Sequence, residues 1–135
     1  MTDTPAPAAL LRAVPFADEL GIALEEATPA RVRAALAWAP ELCTAGGALH
    51  GGALMTLADT AGAVCAYLNL PPGARTSTIE SKTNFFRAVR SGTVHAEARA
   101  VHVGRSCIAV RTDLRDAGGT LVGQTTQTQA VLTAR

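Results

Sequence analysis

Between Glu41 and Arg75 the chain carries one permanently charged side chain, Asp59, and it stands inside the apolar run from His50 through Leu68. An unpaired carboxylate in apolar surroundings is costly enough that folding alone would favour an uncharged residue there. The run is about as long as a membrane span, but the charge at its centre argues for a buried core helix and against a membrane partner. Residues three and four apart share a helix face, so Thr56, Asp59, Thr60 and Ala63 make one polar-to-small stripe. With one charge and two threonines, that stripe is too narrow for a solvated face and is expected to border a cleft. At the head of the run, Gly51 and Gly52 would present backbone N–H groups at the positive end of the helix dipole. Anion-stabilising amides at one point and a carboxylate two turns further on suggest a reaction centre.

At 135 residues the chain fits one domain. Residues 1–10, rich in Ala, Pro and Thr, are expected to be a flexible tail, leaving 11–135 as that domain. A formal charge of +1 with interspersed signs argues against a nucleic-acid groove, which needs a clustered basic surface. Cys43, Cys65 and Cys107 are odd in number, far apart and without C-x-x-C spacing, so no disulfide framework or zinc site is expected and a reducing cytoplasm is the simplest location. The N-terminus has Asp3, no early Arg or Lys, and Pro5 and Pro7, which is not signal-peptide architecture.

Along the chain, Pro15–Gly21 reads as a short helical turn ending at a glycine. Residues 22–27 and 30–38 alternate in character as half-buried strands do, with a hairpin at Thr28-Pro29. A loop from Pro40 to Leu49 leads into the apolar helix, which should stop near Asn69-Leu70-Pro71. Four strand candidates follow, at 76–89, 93–103, 105–115 and 120–133, and the short separations between them predict antiparallel neighbours. Val101, Val103, Ile108, Val110, Leu121 and Val131 mark a packed face, whereas Arg99, His102, Arg111 and Asp113 mark a wetter one. His95 and His102, an odd distance apart, should lie on opposite faces and so not share a metal. One very apolar helix followed by an antiparallel meander has a natural solution, an α+β hotdog fold in which the sheet curls around the helix.

The string His50-Gly51-Gly52 with an acid nine positions after the histidine, in Leu57-Ala58-Asp59-Thr60, resembles hotdog acyl-coenzyme A thioesterases of the phenylacetate-pathway type and the related 4-hydroxybenzoyl-CoA thioesterases. Thr78-Ile79-Glu80 through Asn84-Phe85-Phe86-Arg87, then Gly92, Gly104-Arg105, the turn from Arg115-Asp116 to Gly119, and Gln124 extend the similarity. The resemblance implies hydrolysis of an acyl- or aryl-acyl-CoA thioester without cofactor or metal. Asp59 would be nucleophile or general base, and the Gly51 N–H would bind the developing oxyanion. His50 would shape the loop or hydrogen-bond nearby, while Gly52 and Thr60 join the substrate-binding set.

Relatives commonly have Asn or Gln six residues before the histidine. At that substrate-binding position, where the residue of relatives helps hold substrate or water, this chain has the shorter Thr44, which donates only one hydrogen bond. Thr78 and Ser77 fall near a hydroxyl that in some relatives orients water from the neighbouring subunit, and strand alternation lets only one face the site, with Thr78 preferred. Arg87 matches a position that contacts coenzyme A phosphates, with Arg105 and Ser106 expected nearby. The resemblance also implies a homodimer at least, commonly paired into a homotetramer. Two alternatives have the same fold: a hydratase or dehydratase on acyl thioesters, disfavoured by the His50-Gly51-Gly52 pattern, and a non-catalytic acyl-CoA-binding protein, disfavoured by Asp59.

Overall fold

The apolar run forms helix α3, Gly51–Leu68, and its composition sets how closely the rest of the chain can approach it. Ala58, Ala61, Gly62 and Ala66 alternate with Leu54, Leu57 and Val64 around the buried sides, so a sheet can lie close against the cylinder. A computed structural model describes residues 5–133; residues 1–4, the start of the segment expected to be a tail, and 134–135 lie outside the described residues. Among the described residues α3 is the one helix long and apolar enough to cross a membrane, and just over half of it is packed inside the fold. It stops at Asn69, whose amide donates to the Cys65 carbonyl at 2.8 Å and to the Pro29 carbonyl at 2.9 Å.

Six strands form one antiparallel sheet: β1 Ala23–Ala27, β2 Val32–Ala37, β3 Arg75–Phe85, β4 Thr93–Val103, β5 Cys107–Arg115 and β6 Leu121–Leu132. They lie in the order β1-β2-β4-β5-β6-β3 around α3, the hotdog arrangement. The turn at Thr28–Arg31 joins β1 to β2 as expected, and Arg31 grips Glu26 across it through two bonds of 2.9 and 2.8 Å. That bond holds the Glu26 carboxyl below its usual range and raises the Arg31 guanidinium.

The expectation that successive strands are neighbours holds for β4, β5 and β6 but fails for β3, which pairs with β6 at the sheet edge. Strand β3 ends at Phe85, and residues 86–92 run past the head of α3 instead of turning back. There the Leu49 N–H donates to the Val89 carbonyl and the Trp38 N–H to the Gly92 carbonyl, each at 2.8 Å.

Two register shifts change which side chains face the core. The first, at Ala100–His102, leaves Val101 unpaired and 62% exposed, and it sets Val103 opposite the buried Ile108, on the core side of the sheet but still 52% exposed at the strand end. The same shift corrects the histidines: His95 pairs with Arg115 and His102 with Ala109, both outward positions, so both rings lie on the outer face. They remain roughly 20 Å apart along the strand at about 3.3 Å per residue, too far to share a metal. The second shift, between Thr78 and Glu80, leaves Ile79 unpaired and 66% exposed.

Two short helices precede the sheet, α1 Pro7–Arg12 and α2 Pro15–Leu20, the latter closed by Gly21 at φ 87°. Residues 7–10, within the expected tail, are therefore helical, and Leu10 and Leu11 pack against the core.

Candidate active site

The loop before α3 is tied down on several sides. The His50 N–H donates to the Leu42 carbonyl, Trp38 Nε1–H to the Gly47 carbonyl, and the Arg90 guanidinium to the Gly46 carbonyl at 2.7 Å. His50 caps α3 with its ring: Nδ1 accepts the Gly52 N–H at 2.8 Å, so that nitrogen carries no proton. A Cβ at Gly52 would press on the same nitrogen. With the Gly52 amide used internally, the Gly51 N–H is the amide at this turn without an acceptor among the described residues. The Phe85 ring lies over Gly51, where a Cβ would approach it to 3.2 Å, so glycine suits both the amide and the aromatic.

Asp59 sits two turns on, half-buried, between two cavities. One, of about 470 Å³, is a half-open cleft between α1 and α3 and is mostly apolar, with Leu10, Val14, Ala63, Val64 and Tyr67 in its wall beside Asp59 and Thr60. The other, of about 330 Å³, joins Asp59 to Met55, Thr56, Thr78 and Ser81. The stripe Thr56, Asp59, Thr60, Ala63 thus borders these two spaces. Gln127 Nε2–H donates to Asp59 Oδ1 at 3.1 Å from beneath.

Gly51 and Asp59 are eight residues apart on one helix, about 12 Å along its axis at ~1.5 Å per residue. A reacting carbonyl needs a donor within about 3 Å of its oxygen and an attacking group within about 3.5 Å of its carbon. One chain therefore cannot bring both to the same carbonyl.

Thr78 faces the Asp59 side, its hydroxyl accepting Gln129 Nε2–H at 2.7 Å, whereas Ser77 is exposed and lines neither cavity. Thr44 is not brought to Asp59: its backbone closes the turn to Gly47, and its hydroxyl takes only a long bond from the Gly46 N–H. Arg87 borders a third cavity, of about 310 Å³, together with Gly51, Leu54 and Phe85. Arg105 and Ser106 precede β5 in a turn rather than starting it, and they lie by Val131, while the Arg87 N–H donates to the Val122 carbonyl. These positions are at opposite ends of β6, roughly 30 Å apart, so within one chain the two arginines do not form the expected single patch. Cys65 is fully buried, and burial pushes its thiol up against a weaker lowering by the Ala100 backbone, which makes it a poor nucleophile. Among the described residues no group of three or more His, Cys, Asp or Glu could hold a metal ion.

Sequence reasoning missed Ser81 and the buried pair Gln127 and Gln129. A signal existed. From Gln124 to Gln129 strand β6 has no apolar residue on either face, although it is an interior strand between β5 and β3. An interior strand without an apolar face requires polar partners on the core side.

A six-stranded antiparallel sheet wrapped around one long helix is the hotdog architecture. Residues 46–123 match the family model for the thioesterase superfamily, and the chain belongs to that superfamily. Rv1847 of Mycobacterium tuberculosis, named as an esterase, is 33% identical over 106 residues, covering 76% of this chain and 74% of its own. A crystal structure of a glutamine-to-alanine variant of thioesterase PA1618 from Pseudomonas aeruginosa superposes with TM-score 0.91 at 29% identity, covering 98% of this chain and 97% of that one. Thioesterase HI1161 from Haemophilus influenzae superposes with TM-score 0.90 at 26% identity over 97% and 93% of the two chains. The family is one of thioester hydrolases.

The cap predicts a separable effect at His50. His50→Ala should lower unfolding free energy by about 1 kcal/mol, and His50→Asn, which retains a side-chain acceptor, should lose less. Urea denaturation monitored by circular dichroism measures both; equal losses would mean that the ring nitrogen is not the stabilising group.

Proposed function

We propose that the protein hydrolyses an acyl- or aryl-acyl-CoA thioester to free acid and coenzyme A, with Asp59 as nucleophile or as general base for water. The observation that carries this reading is that the only charged side chain of α3 stands at the seam of two cavities, an apolar one beneath α1 and a second that the hydroxyl-bearing Thr56, Thr78 and Ser81 border. The apolar space beneath α1 suits the acyl group, and Thr60 and Ala63 shape its wall. The second space, with Thr78 and Ser81 at its edge, suits a water held beside the carboxylate. Attack on the carbonyl carbon moves negative charge to its oxygen, the charge that the Gly51 N–H at the helix head is suited to receive. The thiolate of coenzyme A then leaves. If Asp59 attacks directly, water afterwards cleaves the resulting anhydride; if it is the base, water attacks at once.

Because Gly51 and Asp59 of one chain are too far apart, the active unit in this reading is a homodimer in which Gly51 of one chain meets Asp59 of the other. Strand β3 supports that pairing. It is an 11-residue edge with Ile79 and Phe85 exposed and Phe86 just beyond, a poor surface to leave in water. Antiparallel pairing of two such edges about a two-fold axis sets the Arg75 end of one against the Phe85 end of the other. The Arg105–Ser106 turn of one chain then approaches the Arg87 end of its neighbour, gathering arginines for the phosphates of coenzyme A. A homotetramer follows if two dimers pack through the outer faces of their sheets. The free thiols Cys43, Cys65 and Cys107 and a CoA substrate both fit a cytoplasmic setting.

Three measurements test these statements. Asp59→Asn should retain its circular dichroism spectrum and lose roughly two or more orders of magnitude in CoA release, read with a thiol dye. Near-normal hydrolysis by that variant, or hydration of an enoyl-CoA as the main wild-type reaction, would overturn the reading. Ala63→Phe, which fills the apolar cavity, should lower kcat/KM for phenylacetyl- and octanoyl-CoA about tenfold more than for acetyl-CoA; a uniform change would mean that the acyl group binds elsewhere. Light scattering and activity followed over a dilution series should show activity falling as the dimer dissociates, and an active monomer would contradict the shared site.

A further inference from the structure

We infer that Gln127 is a positioning residue for the Asp59 carboxylate, holding one carboxylate oxygen so that the other is presented to the substrate. The inference rests on the reading of Asp59 as the reacting carboxylate and concerns a residue beyond the segment matched to the family model.

Placing an amide at residue 127 carries a cost. Gln127 is 2% exposed on the face of β6 that packs beneath α3, opposite Ser81 on β3 and Val110 on β5. An aliphatic side chain would fill such a slot without leaving a polar atom to be satisfied. The neighbouring inward residues show what a structural polar residue looks like in this strand. Gln129 is paired at both ends of its amide, donating to Thr78 Oγ1 at 2.7 Å and accepting from the Thr76 hydroxyl at 3.1 Å. Thr125 shares a hydroxyl bond of 2.7 Å with Thr83. Gln127 differs from both: its one polar contact is the N–H to Asp59 Oδ1, and its own Oε1 is buried without a partner. A residue kept only to knit β6 to β3 would resemble Gln129.

The amide's orientation follows from charge. An ionised carboxylate only accepts hydrogen bonds, so the nitrogen must face Asp59 and the oxygen must turn away, toward α3. There it meets Gly62, where a Cβ would fall on the Gln127 amide. A glycine in the interior of a long helix weakens that helix, and at residue 62 it leaves the room the amide needs. Gly62, unfavourable inside a helix, and Gln127, a half-paired amide in a buried slot, are thus explained by one contact. A single donor on Oδ1 restricts rotation of the carboxylate and leaves Oδ2 without a protein donor among the described residues, the arrangement a nucleophile or base requires.

The test is Gln127→Met, which keeps length and approximate volume and removes the N–H. The expected result with phenylacetyl-CoA is a fall in kcat of about tenfold, with KM within about twofold and a melting temperature equal to or above wild type, because the half-paired amide is gone. Gly62→Ala, which crowds the amide from the other side, should also lower kcat. The double variant should be no slower than Gln127→Met alone, since both changes act through one group. A Gln127→Met enzyme with wild-type kcat would overturn the inference, as would a loss of activity that simply follows a loss of melting temperature. If Asp59→Asn in the same assay keeps its activity, the reading of Asp59 fails and this inference fails with it. An inactive Asp59→Asn beside a fully active Gln127→Met removes the inference alone.

Discussion

The structure depends on the burial of one helix by a sheet that must come very close to it. The fully buried Leu57 and the nearly buried Leu54 each contribute about 1.5–3 kcal/mol by removal from water. Between them, Ala58, Ala61 and Gly62 keep the surface of α3 low enough for the strands to pass. The same closeness leaves a charged residue on this helix little access to bulk water. Asp59 is tolerated because its side of α3 faces cavities and because the sheet reaches up to it with an amide. The fold and the candidate chemistry therefore meet on one helix face.

The strands answer that polar stripe with one of their own. On the inner face of β6, Thr125, Gln127 and Gln129 occupy positions that a simple sandwich would fill with aliphatics, and all three are buried. Two of them find partners on β3, Thr83 for Thr125 and Thr76 with Thr78 for Gln129, while Gln127 reaches Asp59 on α3. The register shift beside Ile79 matters here. Thr78 and Ser81 are an odd number of residues apart and would face opposite ways in a regular strand, yet both border the cavity at Asp59. One extra residue in an edge strand thus assembles the polar wall.

The rise of an α-helix imposes a second constraint. An amide at the head of α3 and a carboxylate eight residues later lie about 12 Å apart, and no side-chain adjustment brings the backbone N–H nearer. In the proposed reaction such a helix presents two complementary half-sites, each lacking what the other end supplies. A two-fold operation joins unlike ends by its nature, which is why a long unpaired β3 edge is the economical route to complete sites in the proposed dimer.

Much of this was legible in the residue order because it is local. The helix from Gly51, its stop near Asn69, the glycine closing α2, the β1–β2 hairpin and the limits of β4 all follow from periodicity and caps within one element. The stripe containing Asp59 was legible for the same reason, since a period of 3.6 fixes which helix residues share a face. What tertiary structure alone decided is everything that depends on pairing between distant segments. The place of β3 beside β6 depends on where residues 86–92 carry the chain, not on the length of a turn. The outward face of His102, and the common face of Thr78 and Ser81, depend on bulges, and a single inserted residue inverts the parity that alternation relies on. Arg87 and Arg105, expected together, were separated by the length of β6, and Gln127, which no local pattern distinguishes from Gln124 or Gln129, met Asp59 from 68 residues away. Periodicity reports the direction of a side chain within its own element, whereas the partner that a buried polar group meets is set by the register of strands brought together only when the chain has closed around α3.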